Sequence, residues 1–318
     1  MPDRTSITAP QAIFGRSAKM RELEPVVHRI ANLQTPVLIR GESGVGKELV
    51  AAAIHSISDR STGYLARVAC ASLPAPLLEA DLFGDAASAT GKVHAAEGGT
   101  LVLDEVGEAS ATIQARLLKV IDDYPKTPRV IATTSADMYR LVAAGRFRGD
   151  LYERLAVATL DIPPLRERRD EIDALARGFL ERFSREFDRT VPHLSESMAA
   201  LLASYEWPGN IRELENIVKR WVVLDMEDQV REEIEARRAA ARRSPAASNG
   251  GGGLGLREIA RQAAREAERI ALQDALNRCG GNRAAAARQL KVSYKTLLQK
   301  LAEAGLSDTG RPRPAVLG

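Results

Sequence analysis

The amino-acid sequence predicts an α/β protein. Its parts are a five-stranded, mainly parallel sheet, a small helical subdomain and an all-α helix-turn-helix domain at the C-terminal end. Three observations carry this reading. From about residue 35, short apolar runs alternate with longer helical stretches, the pattern of a parallel sheet covered on both faces. After Pro163-Pro164 the apolar runs give way to helical periodicity. A Ser/Gly-rich stretch, SPAASNGGGGLG, then separates the body from a basic C-terminal segment.

The strand candidates are Thr35–Arg40, Tyr64–Ala71, Thr100–Val106, Arg129–Ser135 and Ala158–Ile162, with helical segments such as Lys47–Ile57 and Ala111–Ile121 between them. Segments 165–187, 195–206 and 210–226 read as helices, and a charged helix around Gln229–Arg243 leads to the linker. Beyond it Leu256, Ala260, Ala263, Ala267 and Ile270 recur at helical spacing. Asn282 then caps a short helix to Leu290, Lys291-Val292 forms a tight turn, and Ser293 caps a helix from Tyr294 to Ala304 that Gly305 ends. Leu297, Leu298 and Leu301 are expected to pack inward, leaving Tyr294, Lys295, Gln299 and Lys300 outward. Such a pair describes a helix-turn-helix whose second helix can enter the DNA major groove. The expected division is an N-terminal extension (1–12), an α/β nucleotide-binding subdomain (13–164) and a helical subdomain with connecting helix (165–243). A linker (244–254), the helix-turn-helix domain (255–306) and a disordered tail (307–318) follow.

Composition narrows the class. Hydrophobic content of 45% with 27% charged residues is that of a globular protein, and no apolar run approaches the roughly 18 residues a membrane-spanning helix needs. The start, MPDRTSIT, carries no signal-peptide pattern, so no membrane partner is expected. Cys70 and Cys279 fall in different expected domains and make no disulfide framework, which points to a reducing cytoplasm. His28, His55, His94 and His193 lack ligand spacing, so no zinc site is expected. From Ser244 onward Lys and Arg outnumber Asp and Glu by twelve to six, leaving residues 1–243 at −3 within a total of +3. A basic C-terminal module on a mildly acidic body suits a polyanion such as double-stranded DNA.

Gly41-Glu42-Ser43-Gly44-Val45-Gly46-Lys47 follows the apolar run PVLIR and opens a helix. Phosphate binding needs this arrangement: glycines let the backbone wrap the phosphates, the helix start offers free N–H groups, and Lys47 adds a point charge. Residues 41–48 are the candidate cradle. Glu48 stands where a metal-binding Ser or Thr is usual. Thr100-Leu101-Val102-Leu103-Asp104-Glu105 brings two carboxylates to a strand's C-terminal end, where parallel sheets place ligands. Asp104 is expected to hold Mg²⁺, directly or through water, and Glu105 to polarise the attacking water.

At this point the residues resemble a known family, the AAA+ P-loop NTPase domains of bacterial enhancer-binding proteins, which are the sigma-54-dependent transcription activators. The matching segments are GESGVGKELVA (41–51), LPAPLLEADLFG (73–84), EGGTLVLDEVGE (97–108), GRFRGDLYERL (145–155), IPPLRERRDEI (162–172) and WPGNIRELENIV (207–218). The resemblance implies that Arg148 and Arg154 reach a neighbouring subunit's nucleotide and that Arg212 of the helical lid senses the phosphate in its own subunit. It places Thr134 and Ser135 at the first sensor position, where the family usually has Thr-Asn. It implies ATP and Mg²⁺ as ligands, slow ring-dependent hydrolysis to ADP and phosphate, and a ring, typically a hexamer. NRAAAARQLKVSYKTLLQKLAEAGL is similar to the Fis-type helix-turn-helix of these activators, with a preceding helix, Leu256–Ala275, that dimerises the module. Arg283, Ser293, Tyr294, Lys295, Thr296, Gln299 and Lys300 are the candidate DNA contacts.

The sequence departs from the family in three places. The sigma-gripping Gly-Ala-Phe-Thr-Gly-Ala loop is replaced by the shorter DAASATGKVHAAE (Asp85–Glu97), with Ala89 where the phenylalanine belongs in the remnant Ala89-Thr90-Gly91. The supporting loop is reduced to Asp122–Pro128. Ala69 replaces the asparagine that restrains the catalytic glutamate, so coupling from nucleotide to remodelling surface is expected to be altered. The dozen residues before the AAA+ region leave no room for a receiver, so a signal is expected to act in trans. Three readings follow: a regulator that uses ATP to assemble, meets RNA polymerase and does not remodel sigma-54 in the usual way; a sigma-54 activator whose short loop suffices; and a loader-type AAA+ ATPase acting on DNA.

Overall fold

The five expected strands form one sheet in a computed structural model of the chain, which describes residues 13–14, 17–84, 91–123 and 127–243. They are β1 (Val37–Arg40), β2 (Leu65–Ala69), β3 (Thr100–Asp104), β4 (Arg129–Thr134) and β5 (Ala158–Asp161), in the order β2-β3-β4-β1-β5. Every neighbouring pair is parallel, with Ala69 opposite Asp104, Leu103 opposite Ala132, and Arg40 between Thr134 and Asp161. The carboxyl ends of the strands therefore meet along one rim, where this class of sheet binds ligands.

Around the sheet run α1 (Ala18–Ala31), α2 (Lys47–Ser56), α3 (Ala75–Phe83), α4 (Lys92–Ala95), α5 (Ala111–Asp122), α6 (Met138–Ala143) and α7 (Gly149–Leu155). Side chains alternate across a strand, so β1, β3 and β4 feed two cores. Val37, Ile39, Val102 and Ile131 pack with Val50 and Ile54 of α2 and Val27 of α1. Leu38, Leu101, Leu103 and Ala132 pack with Leu78, Ile113, Leu117 and Leu151 on the other face. Both faces are covered, which is why these strands read as nearly continuous apolar runs.

A third core lies in the helical subdomain, built by α8 (Ile172–Glu186), α9 (Glu196–Ser204), α10 (Asn210–Leu224) and α11 (Glu227–Arg243). Trp207 and Trp221 are its largest buried side chains. At about 150–250 Å² each, such rings contribute roughly 4–6 kcal/mol of burial apiece. The helix expected to start at residue 165 starts only at Ile172. Two short 3-10 turns, Leu165–Glu167 and Arg169–Glu171, precede it. The reason is local: the Arg168 guanidinium donates to the Val45 carbonyl at 2.6 Å and pairs with Glu171 at 2.8 Å, while the Leu165 N–H donates to Asn210 Oδ1 at 2.8 Å. These bonds commit the segment to the glycine-rich loop and leave no regular helix there.

The chain divides into two compact units, Met1–Ser244 and Pro245–Gly318. The second, with the expected helix-turn-helix, its dimerising helix and the seven candidate DNA contacts, lies outside the described residues, as do residues 1–12. Among the described residues no helix is long and apolar enough to cross a membrane.

Candidate functional site

The glycine-rich loop joins β1 to α2 at the sheet's carboxyl rim. The Gly41 N–H donates to the Thr134 carbonyl at 3.2 Å, fixing the loop's start against β4. Gly44 and Gly46 take φ of +79° and +99°, left-handed values that side-chain-bearing residues avoid. Gly46 is also the N-cap of α2 and brings no side chain to the helix start; the Leu49 N–H turns back to the Gly46 carbonyl at 3.0 Å, and those of Lys47 and Glu48 open the helix with no side-chain cap. A Cβ on Gly46 would meet nothing closer than Ile211 Cδ1 at 3.7 Å, so backbone conformation, not crowding, requires the glycine. Cradle, helix start and lysine together fit a nucleotide's phosphates.

Lys47 is almost fully buried. Its Nζ donates to the carbonyls of Gly41 at 2.9 Å and Glu42 at 3.2 Å, and pairs with Glu105 Oε1 at 2.9 Å. Asp104 ends β3, and its Oδ1 accepts from Thr133 Oγ1 at 2.5 Å. Glu105 leaves the strand with φ 52°, and its N–H donates to the same Thr133 hydroxyl oxygen at 3.2 Å. Its Oε2 accepts from the Ser135 N–H at 2.7 Å and from Ser135 Oγ at 2.8 Å. Burial opposes ionisation of Glu105, but the Ser135 main chain, Lys47 and the Ser135 hydroxyl outweigh it and hold the carboxyl below its usual range. The partners of the Glu105 carboxylate thus come from Lys47 and from Ser135, just past the end of β4, while Ala69 on β2 brings only a methyl group.

The lid closes on the same loop. Arg212 Nη1 donates to Ser43 Oγ at 3.1 Å, and the N–H groups of Ile211 and Arg212 donate to the Gly44 carbonyl at 3.0 and 3.3 Å. Glu42, expected in the phosphate cradle, turns its side chain to the lid instead. Arg166 grips it in a two-pronged ion pair of 2.9 and 2.6 Å, and Asn210 Nδ2 donates to it at 3.1 Å. The Arg166 bond holds the Glu42 carboxyl below the ordinary glutamate range against the cost of partial burial. Asn210, Arg166 and Arg168 were not singled out from the sequence. They lie in the segments IPPLRERRDEI and WPGNIRELENIV, where charged residues beside Pro-Pro and Pro-Gly read equally well as solvated turns.

The remaining candidates fall as follows. Thr134 is fully buried, its hydroxyl directed to Met138 Sδ at 3.6 Å and the Ala136 N–H at 3.1 Å. Of the sensor pair, Ser135 is the one that reaches the carboxylates. Glu48 is half-exposed, 4.0 Å from Arg67. Among the described residues no three His, Cys, Asp or Glu side chains gather as a metal site. Asp104, ending β3 at the carboxyl rim, is a single carboxylate of the kind that suits a cation keeping much of its hydration. Arg148 stands at the N-cap of α7 and Arg154 in its last turn; both are exposed, paired with Asp150 at 2.6 Å and Asp122 at 3.3 Å. Their hydrogen bonds and ion pairs run to Gln114, Asp150 and Asp122, outside Gly41–Lys47.

The stretches Asp85–Glu97 and Asp122–Pro128 have clear borders among the described residues. A methyl placed on Gly91 would lie 2.3 Å from the Gly84 nitrogen, so the chain leaves α3 and returns to α4 at a single neck. Lys92 and Asp81 brace it with a 2.8 Å ion pair. Between α5 and β4, Thr127 Oγ1 donates back to the Val120 carbonyl at 2.7 Å, tying the turn onto the helix end.

Comparison with known proteins agrees with this arrangement. Residues 13–161 match the Sigma-54 interaction domain, 166–249 the AAA+ ATPase lid domain and 263–303 the Fis family of bacterial regulatory proteins. The transcriptional regulatory protein ZraR of Klebsiella oxytoca is 41% identical over 314 residues, covering 92% of this chain and 69% of ZraR. The chain belongs to the sigma-54 activator family. Other relatives in this family of transcription regulators include the nitrogen fixation protein AnfA of Azotobacter vinelandii, 42% identical over 70% of this chain and 45% of AnfA. Crystal structures of NtrX from Brucella abortus, including a complex with ATP, superpose with TM-scores of 0.64 at 29–30% identity, covering 91% of this chain and 68% of NtrX. Fold class, lid and Fis-type domain thus stand as the sequence implied.

Proposed function

We propose that this sigma-54 activator family member is an ATP-binding, DNA-binding cytoplasmic regulator that does not grip sigma-54 through the usual loop. The observation that carries the reading is the neck at Gly84 and Gly91. Six residues between adjoining ends reach about 10 Å outward at most, at roughly 3.3–3.6 Å per residue. The stretch also lacks an aromatic tip. The neighbouring stretch, Asp122–Pro128, is short in sequence as well, and Thr127 is tied back to the Val120 carbonyl.

In this reading the loop from Gly41 to Lys47 and the α2 N-terminus bind the phosphates of ATP, as the ATP complex of NtrX supports for a relative. Lys47 exchanges its bond to Glu105 for the phosphate. Asp104 holds the Mg²⁺ that accompanies ATP, a charge partner for the phosphates. Glu105 orients and polarises water, and Arg212 reports the phosphate to the lid from Ser43. Arg148 and Arg154, exposed at the N-cap and in the last turn of α7, complete a neighbour's site, so slow turnover depends on a ring, expected to be a hexamer. The C-terminal module binds double-stranded DNA as a dimer, and RNA polymerase is the remaining partner. Calorimetry on Lys47→Ala tests the nucleotide site, which stands only if binding disappears. A pull-down with sigma-54 in ADP and aluminium fluoride tests the loop reading; no complex is expected, and a stable nucleotide-dependent one would overturn it. That opposite outcome, a short loop that still works, is what the match to the Sigma-54 interaction domain favours.

A further inference from the structure

The two carboxylates at the end of β3 lie between two strands, and only one of them supplies side-chain donors. On the β2 side Ala69 stands opposite Asp104 with a methyl group, and the next N–H, that of Cys70, is committed to the Asp104 carbonyl at 2.9 Å. On the β4 side Thr133 bonds both Asp104 Oδ1 and the Glu105 N–H. Ser135 follows with two donors on one oxygen of Glu105. Glu105 has little freedom to seek other partners, because its left-handed backbone fixes the direction in which the side chain leaves the strand. Its other oxygen is held by Lys47. Both oxygens are thus engaged, which holds the carboxylate away from service as a base.

We propose that Ser135 is a positioning residue that holds the Glu105 carboxylate, so that the restraint missing from β2 at Ala69 is supplied from just past the end of β4. Lys47 is the half of the restraint that a phosphate can remove, since it is the natural partner of both. Ser135 is the half that remains. The β4 end also accepts the Gly41 N–H through Thr134, so the element holding Glu105 is the element anchoring the phosphate loop. A change in the loop can therefore reach the carboxylate through three consecutive residues.

The direct test is a melting cycle on the nucleotide-free full chain. Ser135→Ala lowers the midpoint by about 2–4 °C, the scale of one ordinary hydrogen bond at a partly exposed site. In a Glu105→Ala background the same change shifts it by less than about 1 °C, because the partner is gone. Equal shifts in both backgrounds overturn the proposal. The kinetic part rests on the ATPase reading: Ser135→Ala raises basal turnover roughly fivefold, the factor one hydrogen bond contributes, with KM for ATP unchanged. Ser135→Thr, which keeps the hydroxyl, behaves as wild type, and Ala69→Asn added to Ser135→Ala returns turnover to the basal level. Turnover unaltered by Ser135→Ala in a hydrolysing chain overturns the proposal as well. A wild type that binds ATP without hydrolysing it sinks the ATPase reading alone, and the melting cycle still decides the role of Ser135.

Discussion

Asn210 is the joint on which the lid sits, and its replacement by alanine has a magnitude that follows from its bonds. The side chain is fully buried. It accepts the Leu165 N–H at 2.8 Å and donates to the Ser43 carbonyl at 3.0 Å and to Glu42 at 3.1 Å. Asn210→Ala removes all three and leaves the Leu165 N–H without its acceptor, at about 1–3 kcal/mol for the orphaned group and about 1 kcal/mol for each lost bond. Asn210 also has φ 53°, a left-handed conformation that asparagine tolerates and alanine does not, adding about 1 kcal/mol. With the Leu165 bond counted in the orphaned group, the combined loss is about 4–6 kcal/mol, which at roughly 2–4 °C per kcal/mol lowers the melting midpoint by about 8–24 °C. Circular dichroism on the full chain reads it directly. Asn210→Gly removes the same bonds without the backbone strain and recovers about 1 kcal/mol of the loss. A midpoint within about 2 °C of wild type for Asn210→Ala would refute the reasoning, and a wild-type midpoint for Asn210→Gly would show that the three bonds contribute nothing.

Three further outcomes follow from other parts of the chain. Arg148→Ala or Arg154→Ala lowers ATP turnover at ring-forming concentrations while Kd for ATP stays within about twofold, because the bonds of both arginines run outside the chain's own loop; equal losses in both would place them in the cis site. The Glu42 carboxyl is held below its ordinary pKa by Arg166, so its contribution is present above about pH 4.5 and is lost as pH falls through the depressed value. The melting gap between wild type and Glu42→Gln is therefore constant near neutrality and closes in acid; a gap that widens below pH 4 contradicts the sign. Replacing Lys295 and Gln299 together with alanine flattens discrimination between specific and random DNA more than it weakens binding, measured by fluorescence anisotropy at fixed salt. Equal losses on both DNAs would make them phosphate contacts.

The sheet was legible because its central strands are buried on both faces, so apolar composition alone marks them. The expected strands overran the observed ones by one or two residues where chemistry intervenes, as at Thr100–Asp104, which Glu105 ends with a left-handed turn. That the glycine-rich loop, Lys47 and the paired carboxylates meet at one rim was legible for the opposite reason: these residue types at fixed spacing have few other uses. The lid contacts were not legible. That Glu42 faces Arg166 and Asn210, 124 and 168 residues away, is a product of tertiary packing that no local pattern encodes. The start of α8 was misread because helical periodicity at 165–171 coexists with side chains drawn to Val45 and Asn210. The Pro-containing α1 was not among the elements read from the sequence.

The closed neck at Gly84 and Gly91 also bears on how such a regulator changes its target. A segment whose two ends adjoin can grow or shrink while α3, α4 and β3 keep their packing, since lengthening it costs only about 0.6 kcal/mol per doubling in closure entropy. The engine and its output are separable at that point, like a tool and its socket. A longer, aromatic-tipped segment could be grafted between these two glycines without disturbing the helices on either side of the neck.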